Sequence, residues 1–87
     1  MSYEIAIIAP ARRTLPRLPR DVRERLRTEI RALSVDPRPH GYGPVQSQPG
    51  YFRIRVGDWR ILYRIDDAER RVTIVEIMPR QDDYRVR

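Results

Sequence analysis

Two amphipathic strand patterns around a tight turn are the strongest constraint on the fold of this 87-residue chain. Residues 51–65 alternate apolar and polar side chains, and Gly57-Asp58 fits a two-residue hairpin loop of type II′. With that loop, Arg55 lies opposite Arg60. The alternation then predicts one apolar face, made of Phe52, Ile54, Val56, Trp59, Ile61 and Tyr63.

The second face of this hairpin is rich in arginine. It carries Arg53, Arg55, Arg60 and Arg64. Cations on one small sheet face repel one another unless an anion lies there, so phosphate is the first ligand to expect. Tyr51 falls on the same face, where it is either a base-stacking residue or a simple edge residue.

Helices precede the hairpin. Residues 3–8 read as a first strand, and a short helix over about 10–15 is interrupted at Pro16 and Pro19. The main helix runs over about 19–33 and presents one apolar stripe of Val22, Leu26, Ile30 and Leu33. Its polar side carries Arg23, Arg27 and Arg31, which form either a solvated helix face or a second surface for nucleic-acid backbone.

The remaining elements complete an α+β fold. The stretch 36–44 contains three prolines and two glycines, which predicts a loop, and Val45 to Ser47 is a candidate short edge strand. Residues 72–78 form the last strand, and pairing Ile65 with Val72 brings Arg80 to the turn end of the sheet. We therefore expect a strand, two helices and a three- to four-stranded antiparallel sheet, with the helices on its apolar face and the arginine face open.

Composition limits the class of protein. Eighty-seven residues predict a single domain over 1–87. The formal charge is +6, and all 18 basic residues are arginine. Without cysteine and with one histidine, the sequence favours neither a disulfide framework nor a zinc site, and we expect no cofactor. No signal peptide or membrane span is predicted, which fits the cytoplasm.

Several short motifs, in order, resemble those of the RelE/ParE superfamily of toxins from bacterial toxin–antitoxin systems. The segment 15–19 resembles the family's junction between two helices, and 33–39 its helix exit. Residues 51–63 are very similar to its Arg-x-Gly-Asp-aromatic-Arg segment, and 78–84 to its closing Arg-x-Asp-x-Tyr motif. The resemblance spans nearly the whole chain and favours the RelE-like branch.

That resemblance implies an mRNA interferase, a metal-independent endoribonuclease that enters the ribosomal A site and cuts the messenger there. It also implies a cognate acidic, RelB-like antitoxin that forms a hetero-oligomer with the toxin. By motif alignment, Arg53 and Arg55 fall on basic positions of the family, and Arg60 on its active-site arginine. Arg80 and Tyr84 fall on the arginine and tyrosine near the C-terminal end.

The chemistry needs a base for the 2′-hydroxyl, charge stabilisation at phosphorus and an acid for the leaving 5′-oxygen. Arginine can stabilise the charge, but it is a poor base. Since the chain has no lysine, Tyr84 is the hypothesis for the base, ahead of Asp82, Asp83 and His40. Two other functions stay open: a ParE-like toxin that poisons gyrase, and a toxin-fold binding module without catalysis.

Overall fold

The computed structural model describes residues 2–79 and has the α+β architecture predicted from the sequence. Its helical elements are α1 (Ala11–Thr14), a 3-10 turn (Leu15–Arg17) and α2 (Arg20–Leu33). Its strands are β1 (Glu4–Ile7), β2 (Gly43–Pro44), β3 (Tyr51–Val56), β4 (Trp59–Asp66) and β5 (Arg71–Pro79). None of the helices in the described range is long and apolar enough to cross a membrane.

The strands form one sheet in the order β1-β5-β4-β3-β2. The last four strands in the chain are antiparallel neighbours, whereas β1 joins β5 in parallel. The edge strand was predicted at 45–47 but lies at 43–44. Strand pairing ends at Val45: its N–H still donates to the Tyr51 carbonyl of β3, but its own carbonyl accepts a hydrogen bond from the Gln48 N–H, which closes a turn toward β3.

The β3–β4 hairpin has the predicted turn and register. Gly57 has φ +63°, and Asp58 is not among the residues with positive φ, which is the type II′ combination. Arg55 pairs with Arg60, and the pairing continues without interruption to Tyr51 opposite Arg64. The two faces of the hairpin are therefore assigned as predicted.

The core lies between α2 and the apolar face of the sheet. From α2, Leu26, Ile30 and Leu33 are buried, as the stripe predicts. Tyr63 is fully buried in β4, and its hydroxyl donates a hydrogen bond to the Pro37 carbonyl at 2.7 Å. This bond fastens the segment that leaves α2 to the middle of the sheet, and burial raises the pKa of Tyr63 above its usual value.

An ion pair at the end of the sheet away from the β3–β4 turn holds three segments together. Arg38, after α2, donates two hydrogen bonds to Asp67, with Nη1–Oδ1 and Nη2–Oδ2 distances of 3.2 and 2.8 Å. Tyr3 donates a third at 2.7 Å. These donors lower the pKa of Asp67 to about 2, the Arg38 bond having the larger effect.

Candidate functional site

The cross-strand pair of Arg55 and Arg60 is the centre of the candidate site. The two residues follow the first pair after the hairpin turn, and both project from the sheet face opposite the helices. Like charges directly opposite one another in a sheet are destabilising. The pair therefore suits an anion that both side chains can approach, and phosphate matches the bidentate geometry of arginine.

The two members of this pair differ in exposure. Arg55 is exposed, whereas Arg60 is only 6% exposed. The open face predicted from the sequence is wrong at this point, because β4 is the central strand and Arg60 lies between Arg55 of β3 and Met78 of β5. Its side chain has neighbours on both sides, which orders it more than a surface arginine.

Arg53 lies one position further along the same face and is half-buried. Its guanidinium rests against the backbone of Gly43 on β2: a Cβ atom on Gly43 would be 3.0 Å from Nη1 and 3.2 Å from Nη2. A side chain at position 43 would press on the guanidinium and shift it, so Gly43 of the neighbouring strand helps to place this cation. Gly43 was not among the site residues predicted from the sequence, although glycine in a strand often marks such a close approach.

Tyr51 is already in contact with an arginine. The Cζ atom of Arg64 lies 5.7 Å from the centre of the Tyr51 ring, within the range of a cation–π interaction. The pairing follows from the register, since Tyr51 and Arg64 are directly opposite. Tyr51 is thus placed at the edge of the arginine face with a cation over its ring.

The arginines of α2 do not join this face. Arg23 donates a hydrogen bond from Nη1 to the Leu18 carbonyl at 3.1 Å, and Arg31 one from Nη2 to the Thr28 hydroxyl at 3.5 Å. Arg27 and Arg31 line a largely apolar groove of about 450 Å³ between the helices and β1. A role for Arg23, Arg27 and Arg31 in RNA binding stays a prediction about a separate surface.

The predicted pairing of Ile65 with Val72 is present, and the register then shifts at a bulge between Leu62 and Tyr63. Because of this shift, the last described residue, Pro79, lies opposite Trp59, the first strand residue after the hairpin turn. Arg80 follows Pro79 in the sequence. The candidates Arg80, Asp82, Asp83 and Tyr84 lie outside the described residues.

The arginine face also carries an acidic side chain that was not predicted from the sequence. Glu76 of β5 pairs with Leu62, which lies between Arg60 and Arg64 on the arginine face. Alternation along the last strand could have placed it, had the bulge been foreseen. The arginine face therefore combines cations with a carboxylate. The remaining candidate base, His40, lies apart from Glu76 as an exposed residue of the loop before β2.

Comparisons with known proteins agree with this architecture. A family model described as the ParE toxin of type II toxin–antitoxin systems matches residues 7–84. The chain is 35% identical to Toxin RelE of Mycobacterium tuberculosis, over 97% of this chain and 88% of that protein. It is also 35% identical to Toxin RelG of the same organism, over 98% of this chain and 99% of that protein.

Solved structures share the fold. The RelBE2 toxin–antitoxin complex of Mycobacterium tuberculosis superimposes with a TM-score of 0.81 at 30% identity, covering 94% of this chain and 95% of that one. The archaeal RelE–RelB complex of Pyrococcus horikoshii gives a TM-score of 0.81 at 22% identity, over 94% and 99%. The extent of these matches shows that the chain belongs to the RelE/ParE superfamily and is a toxin of a type II toxin–antitoxin system.

Proposed function

We propose that this toxin is a ribosome-dependent endoribonuclease that cleaves mRNA in the A site without a metal ion. The observation that carries the proposal is the Arg55–Arg60 pair, with Arg53 beside it on the face opposite the helices. Similarity to Toxin RelE supports the same branch of the superfamily. A ribosomal target also implies a cytoplasmic protein.

In the proposed reaction the 2′-hydroxyl of the messenger attacks the adjacent phosphorus, and the 5′-oxygen of the next nucleotide leaves. Arg55 and Arg60 stabilise the charge that develops on the phosphate oxygens, together with Arg80, while Arg53 holds a flanking phosphate. Only the interaction that strengthens in the transition state accelerates the reaction. The ordered position of Arg60 suits that role, because a fixed donor needs little reorganisation during the reaction.

The proton of the 2′-hydroxyl needs an acceptor other than arginine. Tyr84 is our first candidate, since nearby cations favour its phenolate form. Glu76 of β5 is a second candidate, because it projects from the same face of the sheet as Arg60 and Arg64 of β4. Positioning of the RNA by the ribosome reduces the base strength that the reaction requires.

A reconstituted translation system with a defined message tests the proposal. We expect the 5′ ends of the fragments to map to ribosome-occupied codons, and no cleavage of the same message without ribosomes. Arg60→Met keeps an unbranched side chain but removes the charge, and it should lower the cleavage rate by about 10²–10³-fold. Arg13→Met, at an exposed position of α1, is the matched control and should cleave normally.

A ParE-like toxin that poisons gyrase is the second candidate, and the match to the ParE toxin family favours it. Intact message together with trapped, cleaved DNA in a gyrase assay would support that function. Inactivity in both assays would support a toxin-fold binding module without catalysis. Fragments at ribosome-occupied codons would support the nuclease.

We further propose a cognate, acidic, RelB-like antitoxin as the partner in a hetero-oligomer. Structures with the same fold include RelE–RelB complexes, and the net charge of +6 suits an acidic partner. Antitoxin carboxylates would pair with the arginine face, either by covering the sheet or by displacing the segment that bears Tyr84. Co-expression with the acidic product of the neighbouring reading frame, followed by measurement of complex mass, tests the pairing.

A further inference from the structure

A pocket of about 370 Å³ lies beside the arginine face, at the outer edge of β3. It is an open pocket bounded by the C-terminal half of α2, the loop before β2 and the turn-proximal half of β3. Its lining residues are Glu29, Pro39, His40, Gly41, Arg53, Ile54 and Arg55. Arg53 and Arg55, which are proposed to contact the RNA, thus also form a wall of this pocket.

The pocket exists because β2 is short. This strand pairs only with Phe52 and Arg53, so in the described part of the chain β3 has no outer neighbour beyond Arg53. The Tyr51 carbonyl and Arg53 are directed toward β2, and backbone groups two residues apart in a strand point the same way. The N–H and C=O of Arg55 therefore face outward at this edge, where a ligand can reach them.

The walls of the pocket carry opposite charges. Glu29 comes from α2, and Arg53 and Arg55 come from β3, yet among residues 2–79 no ion pair or hydrogen bond joins Glu29 to either arginine. A purely anionic ligand would meet the carboxylate, and a purely cationic one the guanidinium groups. The walls instead match a ligand that carries an anionic group at one end and N–H donors at the other. A nucleotide has this combination, with its phosphate and the N–H donors of its base at opposite ends, and it is also the substrate class of the nuclease function proposed above.

We propose that this pocket is a nucleobase subsite that favours guanine, which deepens the nuclease function proposed above and rests on it. A carboxylate offers two acceptor oxygens, and guanine presents two adjacent N–H donors, N1–H and N2–H. Adenine, cytosine and uracil each offer a single donor group on the corresponding edge. The imidazole of His40 and the backbone of Arg55 flank the base, and Arg53 and Arg55 hold its phosphate.

Titration of the isotope-labelled full chain with each of the four ribonucleoside 5′-monophosphates, followed by NMR, tests the subsite without the ribosome. We expect GMP to shift the amide signals of Gly41 and Arg55 and to bind about tenfold more tightly than the other three. Glu29→Gln should abolish this preference, because an amide offers only one acceptor oxygen. Glu24→Gln, on the same helix and also exposed, is the matched control.

Several results would overturn the subsite. Equal shifts with GMP and with inorganic phosphate would show an anion site only, and an undiminished GMP preference in Glu29→Gln would exclude the carboxylate. The subsite would also be excluded if GMP shifted the signals of residues outside the pocket instead of Gly41 and Arg55. Binding of an acidic peptide without binding of any nucleotide would exclude it as well. The readout is independent of cleavage: selective GMP binding with no ribosome-dependent cleavage would refute the nuclease function and retain the pocket, whereas cleavage without GMP binding would refute the pocket alone.

Discussion

The guanidinium of Arg53 lies against Gly43 so closely that a Cβ atom on Gly43 would be 3.0 Å from Nη1. Gly43 is buried and pairs directly with Arg53 across the β2–β3 ladder. Two residues ten positions apart thus specify one cation: one supplies the charge, and the other supplies the space that orients it. A substitution at the uncharged residue Gly43 is therefore expected to alter how Arg53 binds an anion.

Gly43→Ala should weaken binding of a single-stranded RNA oligonucleotide about tenfold. The added methyl group displaces the Arg53 guanidinium, and a hydrogen bond to a charged group is worth about 1.5–3 kcal/mol. Fluorescence anisotropy over a range of salt concentrations measures the affinity, and its salt slope should fall by about 0.7, the loss of one phosphate contact.

A double-mutant cycle gives the control for this prediction. Gly43→Ala combined with Arg53→Ala should bind no more weakly than Arg53→Ala alone, because the glycine acts through the arginine. Pro44→Ala, at the exposed neighbouring position, should bind like the parent chain. Losses that add fully in the double variant would contradict the relationship.

Tyr63→Phe should destabilise the fold by about 1–2 kcal/mol. The substitution removes the hydroxyl that donates to the Pro37 carbonyl at 2.7 Å and leaves that acceptor without its bond at a buried position. Chemical denaturation followed by circular dichroism gives the free energy of unfolding. Tyr42→Phe is the matched control, since its half-buried ring packs on Phe52 and should keep that contact; an equal loss in both variants would argue against the hydrogen bond.

Local pattern was sufficient for much of this fold. The Gly57-Asp58 loop fixed the hairpin register, because a two-residue loop allows one pairing and alternation then assigns every side chain to a face. The stripe of Leu26, Ile30 and Leu33 likewise predicted the buried side of α2. These predictions held because they depend on residues close together in the chain.

Features that depend on distant neighbours were not predictable in the same way. The burial of Arg60 follows from the central place of β4, and the position of Glu76 follows from a bulge that alternation does not reveal. The contact of Arg53 with Gly43 depends on the edge strand at 43–44, whereas the sequence pattern had predicted that strand at 45–47. In each case the strand order, rather than the residue's own segment, decides its surroundings.

Tyr84→Phe and Glu76→Gln separate the two candidate bases. If Tyr84 accepts the 2′-hydroxyl proton, Tyr84→Phe should lower ribosome-dependent cleavage by about 10²-fold or more, since general base catalysis contributes about 10²–10⁴-fold. Glu76→Gln should then leave the rate within about threefold of the parent. The reverse ranking would assign the proton to Glu76. Equal circular dichroism spectra and melting temperatures are required of both variants, so that loss of folding is not mistaken for loss of chemistry.

The Arg38–Asp67 ion pair predicts how stability depends on pH. Asp67 has a folded-state pKa of about 2, below the ordinary value of about 3.9 for aspartate, so its contribution is present above about pH 4 and is lost as the pH falls toward 2. Asp67→Asn should therefore be less stable than the parent chain at pH 6, and the difference in melting temperature should shrink steadily between pH 4 and pH 2. Asp58→Asn, at the exposed hairpin turn, supplies the comparison and should show no such convergence. A difference between the parent chain and Asp67→Asn that stays constant over this range would show that the charge of the Asp67 carboxylate does not contribute to stability.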